Sequence, residues 1–263
     1  MTKKVGIIGG TGLYSLPNIE GLHDKSFRTP FGDVTLHVGN LADAEVAFLT
    51  RHGEHHNIAP GEINVRANLW ALKEFGAKQV VATACSGSMN MNYGVGDFVL
   101  LDQFLEFTKN RPSRFFENDP TKPLLHIDYT NPYCHTIGES VKQAALQLGL
   151  TVKEGATYCC TQGPRFETKA EIRMMQMLGG DLVGHTNYPE VVLAREAGMC
   201  YAAIAIVSNI AAGILSQPIT AEEVHDVMSR RFSDLQSLLE QTIRCLTYNP
   251  DCECQHAADK ALL

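Results

Sequence analysis

The sequence predicts a single α/β domain. Short apolar runs alternate along the chain with longer amphipathic ones, the order expected of strands and the helices that cover them. The short runs are compact and apolar, as strands buried on both faces are. With 44% of its 263 residues hydrophobic and 19% charged, the chain holds enough apolar material for one large core.

The expected strands are Val5–Ile8, Val46–Thr50, Val80–Ala84, Phe98–Leu101, Ala156–Thr161 and Tyr201–Ser208. The expected helices are Val65–Phe75, Thr136–Leu148, Lys169–Leu178, Glu190–Ala197 and Ala221–Arg244. The last carries Val224, Val227, Met228, Phe232, Leu235, Leu238 and Leu239 in one helical stripe. Thr220 can cap it, and Glu223 three residues on completes a capping box. Thr108–Pro123, rich in Pro, Arg, Asn and Lys, reads as a long loop. The domain is expected over residues 1–248, and the polar, weakly patterned 249–263 forms a tail, either a peripheral helix or disordered.

A net charge of -7 without a basic stripe argues against a nucleic-acid partner. No apolar run approaches the length of a membrane span. The start Met1-Thr2-Lys3-Lys4 leads straight into a strand, without the apolar stretch of a signal peptide. The expectation is a cytoplasmic enzyme with no membrane partner. Among the eight cysteines, Cys159-Cys160 are adjacent and Cys252-x-Cys254 is nearly so. Neither pair has zinc-site spacing, so no metal is expected. The C-x-C pair is the one to examine for a bond.

Polar clusters follow the C-terminal ends of the expected strands, where open α/β sheets bind ligands. Gly9-Gly10-Thr11-Gly12 can turn backbone N–H groups toward an anion and add a hydroxyl, although a plain tight turn reads equally well. Arg51-His52-Gly53-Glu54-His55-His56 offers a guanidinium clamp for phosphate, or, with its histidines and Glu54, a metal set. Thr83-Ala84-Cys85-Ser86-Gly87-Ser88 permits close backbone approach. Cys85 as a nucleophile would need a base, and none is assigned. Gly163–Thr168, Gly184–Glu190 and Ser208-Asn209 supply a carboxylate and an amide able to read a purine edge, and each of these also suits a cap or turn.

Taken together, VGIIGGTGLY, TPFG, RHGEHH, NVRANLWALKEFGA, VGDFVLLDQF, TQGPRFET, YPEVVLAREAGMCYA and the segment around Ser208-Asn209 resemble the nucleoside phosphorylase family of methylthioadenosine phosphorylase and trimeric purine nucleoside phosphorylase. They occur in family order to about Tyr248. The resemblance implies a single domain with a mixed, partly barrelled sheet flanked by helices. It implies phosphate as co-substrate without a cofactor, and a homotrimer (with a hexamer as the alternative). It places Thr11, Arg51, His52, Thr186 and backbone amides at Ala84 and Cys85 on phosphate. Methylthioadenosine enzymes have Thr where this chain has Ala84, and Thr83 or Ser86 could compensate. Phe166 resembles the residue packing on the base. His185 stands where a Met usually lies beneath the ribose. His126 resembles the His that enters a neighbouring subunit's 5′ pocket, near His56.

A 6-oxopurine presents an N1–H donor, an O6 acceptor and an N7 that gains electron density as the bond breaks. Ionised Glu167 can accept from N1–H, and Asn209 can donate to O6 or N7. Adenine-specific relatives have Ser, Asp and a second Asp where this chain has Glu167, Asn209 and Ala211. The resemblance therefore implies phosphorolysis of inosine and guanosine, with methylthioinosine second and methylthioadenosine third. Ala221 and Val224 would favour an apolar 5′ group, while His225, one helical turn on, either reaches a 5′-hydroxyl or is a helix-surface histidine.

Overall fold

The computed structural model describes residues 3–13, 16, 18–117, 119–259 and 261–262. Met1, Thr2, Asn118 of the expected loop, and Lys260 and Leu263 of the tail lie outside the described residues. The chain runs β1 (Lys3–Gly9), β2 (Glu20–Thr29), β3 (Gly32–Leu41), β4 (Ala44–Thr50), α1 (Val65–Phe75), β5 (Gln79–Ser88), β6 (Phe98–Phe107) and α2 (His135–Leu148). It continues through β7 (Val152–Thr161), α3 (Lys169–Met177), β8 (Leu182–Gly184), α4 (Asn187–Glu196), β9 (Cys200–Ile210) and α5 (Ala221–Cys245). Short 3-10 turns occupy Pro60–Glu62 and Glu253–His256.

Among the described residues the strands form one mixed sheet in the order β2-β3-β4-β1-β5-β8-β7-β6-β9, and a β5–β9 pairing closes its last five strands into a ring. The sheet is thus partly barrelled, as expected. β5 makes the closure feasible. Its first half pairs with β1 through residues 79–82, whereas Gly87 and Ser88 pair with β8. A register shift against β9 falls at Ser86/Gly87. Small residues and a bulge let one strand bend from the open sheet into the ring.

Two apolar layers cover the sheet. Leu69 and Leu72 of α1 and Val191 and Leu193 of α4 pack on one side. Ile137 and Val141 of α2 and Leu235, Leu238 and Leu239 of α5 pack on the other with Ile204 and Ile206. Asn64 caps α1 by accepting from the Ala67 N–H. Thr220 caps α5 through the Glu223 N–H. A reciprocal capping box forms instead on α3, between Thr168 and Glu171.

Every expected strand and helix is present, most of them longer than their apolar runs. Three strands escape the sequence. β2 is almost wholly solvent-facing, with Phe27 as its one buried residue. β3 alternates buried Val34, Leu36 and Val38 with more exposed neighbours, a period of two that a search for continuous apolar runs passes over. β8 has only three residues.

Leu239 is fully buried on α5. Leu239→Ala is expected to cost about 2–5 kcal/mol, read as a lower denaturation midpoint. Leu146→Ala, on the 81% exposed side of α2, is expected to stay within about 0.5 kcal/mol of the parent.

Candidate active site

The C-terminal ends of β1, β4, β7, β8 and β9 and the bent half of β5 surround a cavity of about 860 Å³. Its lining gathers Thr11, Arg51, His52, His56, Cys85, Phe166, Glu167, His185, Thr186, Asn209, Ala211, Ala221, Val224 and His225. These residues come from seven stretches of sequence. Ala84, expected to contribute its backbone amide, is not among the lining residues, and it is buried within β5 beside the lining Cys85. His126 is exposed and lies off the cavity lining, its N–H bonded to the Ala261 carbonyl.

One corner concentrates hydrogen-bond donors. The Gly10 N–H donates to Thr83 Oγ1 at 2.9 Å, and the Arg51 N–H donates to the Gly9 carbonyl at 3.1 Å. A Cβ on Gly10 would fall 2.7 Å from the Thr83 carbonyl oxygen and 2.8 Å from Arg51 Nη1, so only glycine fits between the two walls. Arg51 is 2% exposed. Its Nε and Nη2 donate to the two Glu190 carboxylate oxygens at 2.5 and 2.9 Å, and Nη1 donates to the Thr83 carbonyl at 2.7 Å. Burial alone would lower the Arg51 pKa, but Glu190 outweighs it and raises it. Of five guanidinium hydrogens, one on Nη1 and one on Nη2 remain for a ligand. The Ser86 hydroxyl is buried on the cavity wall without a hydrogen-bond partner among the described residues. Thr186 precedes α4 yet makes no cap bond to it.

His52 faces the same corner. Its Nδ1 lies 2.9 Å from the Ile58 carbonyl, so the neutral ring donates there and keeps its Nε2 lone pair. Burial pulls its pKa down to about 4, with the Arg51 charge adding to the effect and the Ile58 bond opposing it. The His56 ring packs 4.6 Å from it, centroid to centroid. Burial likewise raises Cys85 to about 11, so it stays a thiol and not a nucleophile. Among the described residues the Arg51–His56 stretch does not converge as a metal-ligand set.

The opposite end pairs an acceptor with a donor. Glu167 Oε1 accepts from the Thr161 hydroxyl at 2.6 Å and faces His185 Nε2 at 3.3 Å. Burial works to raise the Glu167 carboxyl, yet the His185 ring and the Thr161 hydroxyl hold it below the usual carboxylate range. It is ionised at neutral pH. Asn209 Oδ1 accepts from the Ser208 hydroxyl at 2.8 Å, and its Nδ2 donates to the Ile210 carbonyl at 3.1 Å. One Nδ2 hydrogen is left over. Phe166 lines the cavity with a half-exposed ring. Beyond them Ile219, Ala221, Val224, Met228 and Phe232 form an apolar wall, with His225 at the rim, its side chain 81% exposed.

Sequence reasoning missed four residues of this site. Glu190 read as part of a turn and helix start, and only the fold carries it across to Arg51. Arg111 was read merely as loop, but its guanidinium donates to the His185 and Tyr188 carbonyls and to the Gln162 carbonyl at 2.9 Å. It thereby ties the 108–117 loop to the segment that carries Glu167 and His185. Met228 and Phe232 read as core stripe, yet both also face the cavity.

A sequence profile described as the phosphorylase superfamily matches residues 4–244. The chain is 45% identical over 257 residues to a probable 6-oxopurine nucleoside phosphorylase of Moorella thermoacetica, covering 98% of each protein. It is 45% identical over 255 residues to a probable S-methyl-5′-thioinosine phosphorylase of Methanothermobacter thermautotrophicus, covering 96% of this chain and 88% of that one. Among solved structures, a methylthioadenosine phosphorylase sourced from an antarctic soil metagenomic library superposes with a TM-score of 0.91 at 30% identity, covering 100% of this chain and 93% of that one.

The depressed His52 gives a pH signature. Below its ordinary value of 6.5 the unfolded chain takes up a proton that the folded ring refuses until about pH 4. Its contribution is therefore complete above 6.5, declines as pH falls, and is gone below about 4. Replacing His52 with Asn is expected to flatten the stability loss between these limits in chemical denaturation at stepped pH. An unchanged slope would show that His52 is not the titrating group.

Proposed function

The chain belongs to the phosphorylase superfamily, and we propose that it splits 6-oxopurine nucleosides, inosine and guanosine, with inorganic phosphate into free base and ribose 1-phosphate. The observation that carries this reading is the base end of the cavity. An ionised Glu167 on the cavity lining stands with an Asn209 that has a spare N–H. That pair matches N1–H and O6 or N7 of a 6-oxopurine. Adenine has a lone pair at N1 and an amino group at C6, so it would face like with like. Leaving such buried groups unpaired rejects the wrong base by roughly 10⁴-fold.

Phosphate fits the corner formed by the Gly9–Gly12 loop, the two remaining Arg51 hydrogens, Ser86 and Thr186. His52 Nε2 can accept from a phosphate hydroxyl or take up a proton when the anion arrives. The C1′–N9 bond breaks with its electron pair moving onto the purine, and a phosphate oxygen bonds to C1′ from the opposite face. Asn209 stabilises charge on the departing ring while Glu167 fixes its orientation. No side chain bonds covalently to the sugar, so rate enhancement rests on positioning and electrostatics. In this reading the enzyme serves purine salvage in the cytoplasm as a homotrimer.

A second reading concerns the 5′ end. The apolar wall of Ile219, Ala221, Val224, Met228 and Phe232 favours a 5′-methylthio group, making methylthioinosine the alternative substrate.

A panel of inosine, guanosine, adenosine, methylthioadenosine and methylthioinosine, each with and without phosphate, tests both readings. Turnover of inosine and guanosine only with phosphate is expected, with kcat/KM for the 6-amino compounds roughly 10⁴-fold lower. A clear preference for methylthioinosine over inosine would select the second reading, and a preference for adenosine would overturn both. Asn209→Asp is expected to shift preference toward the 6-aminopurine. An unchanged ratio would remove the base-recognition argument.

A further inference from the structure

Off the lining of the nucleoside cavity, four cysteines converge. Cys134 stands at the N-cap of α2, Cys200 opens β9, and Cys252 and Cys254 lie on the turn Glu253–His256 and its N-cap. All four sulfurs lie within 4.8 Å of one another. Cys134 and Cys252 are 3.8 Å apart, matching the edge of about 3.8 Å that a tetrahedron with Zn–S bonds of about 2.3 Å requires. We infer that Cys134, Cys200, Cys252 and Cys254 form a structural Zn²⁺ site that staples the C-terminal segment to the sheet.

Two features beyond the sulfur positions support it. Tetrathiolate zinc carries two net negative charges, and a cation waits beside it. Arg195 is buried and lines the same 520 Å³ cavity as Cys134, Cys252 and Cys254. Its guanidinium bonds to the Asn131 and Pro132 carbonyls at 2.6 and 3.0 Å, and it has no carboxylate ion pair among the described residues. Buried charges are normally paired; the Asp128 carboxylate on the same cavity feels the Arg195 charge without an ion-pair contact, and the thiolates would complete the balance. Second, the C-terminal turn is organised around the sulfurs. The Gln255 N–H donates to the Cys252 carbonyl at 2.9 Å, and Gln255 Nε2 lies 3.9 Å from Cys200 Sγ as a donor to a ligating sulfur. The sequence conceals this site because the C-x-C pair supplies only half of the ligands. The other two are single cysteines 118 and 55 positions away from their contacts in the tail. The sequence expectation of no metal thus gives way to this proposal.

The test takes the full-length protein, purified without chelator under reducing conditions. Elemental analysis is expected to give one zinc per chain, with all eight cysteines alkylated after denaturation in chelator. Apo-protein reconstituted with Co²⁺ is expected to show the intense visible absorption of tetrahedral cobalt thiolate. The double variant Cys252→Ser/Cys254→Ser is expected to lose the metal and melt at lower temperature, while Cys245→Ser keeps both. Disulfides at Cys134–Cys200 or Cys252–Cys254 without zinc would overturn the proposal, as would eight free thiols with neither zinc nor a cobalt spectrum. The cobalt reading on the parent protein decides the matter even if the double variant fails to fold. Its failure would leave the reading of the nucleoside cavity untouched.

Discussion

Arg51 and Glu190 stand 139 positions apart in sequence, and their side chains meet in a buried bidentate ion pair. Withdrawing both charges from water costs several kcal/mol per ion, and the arrangement persists only where every other hydrogen bond is met. Here it is met. The Tyr201 hydroxyl donates to Glu190 Oε2 at 2.8 Å, and Asn187 Nδ2 donates to that hydroxyl at 3.2 Å. The Tyr133 hydroxyl donates in turn to Asn187 Oδ1. On the other side Arg51 reaches the Thr83 carbonyl, and Thr83 Oγ1 receives the Gly10 N–H. One connected network therefore joins the end of β4, the middle of β5, the glycine loop, α4 and β9.

This network explains the character of the anion corner. Glu190 already balances the charge of Arg51, so the corner holds fixed dipoles and two aimed hydrogens more than it holds net positive charge. Such a corner would orient an anion more than attract one, which suits the proposed reaction. The network also ends beside the four-cysteine cluster, since Tyr133 and Tyr201 directly adjoin Cys134 and Cys200 and the Cys134 N–H bonds to the Tyr201 carbonyl at 2.8 Å. Anchoring those cysteines would hold two of its members in place.

Much of the fold was legible because its buried strands and amphipathic helices carry their own patterns. β5 and β9 announce themselves as unbroken apolar runs, and α5 by its stripe. The β2–β3 hairpin was not legible: β2 buries only Phe27 and gives no apolar run to detect. The cavity side chains were legible because they follow strand ends and repeat family motifs. Their supports were not. Glu190 sits in a helix that any acidic residue suits, Arg111 in an irregular loop, and Cys134 and Cys200 among apolar neighbours where a cysteine normally just packs. What distinguishes them is contact with residues distant in sequence, which only the closed ring of β5 to β9 creates.

The proposed reaction requires that phosphate, and not water, receive the sugar. Phosphorus-31 NMR of the enzyme with inosine and inorganic phosphate measures this without any variant. The prediction is a pentose 1-phosphate ester signal that grows in step with free hypoxanthine while inorganic phosphate falls by the same amount. Release of hypoxanthine with free pentose and undiminished phosphate would contradict it.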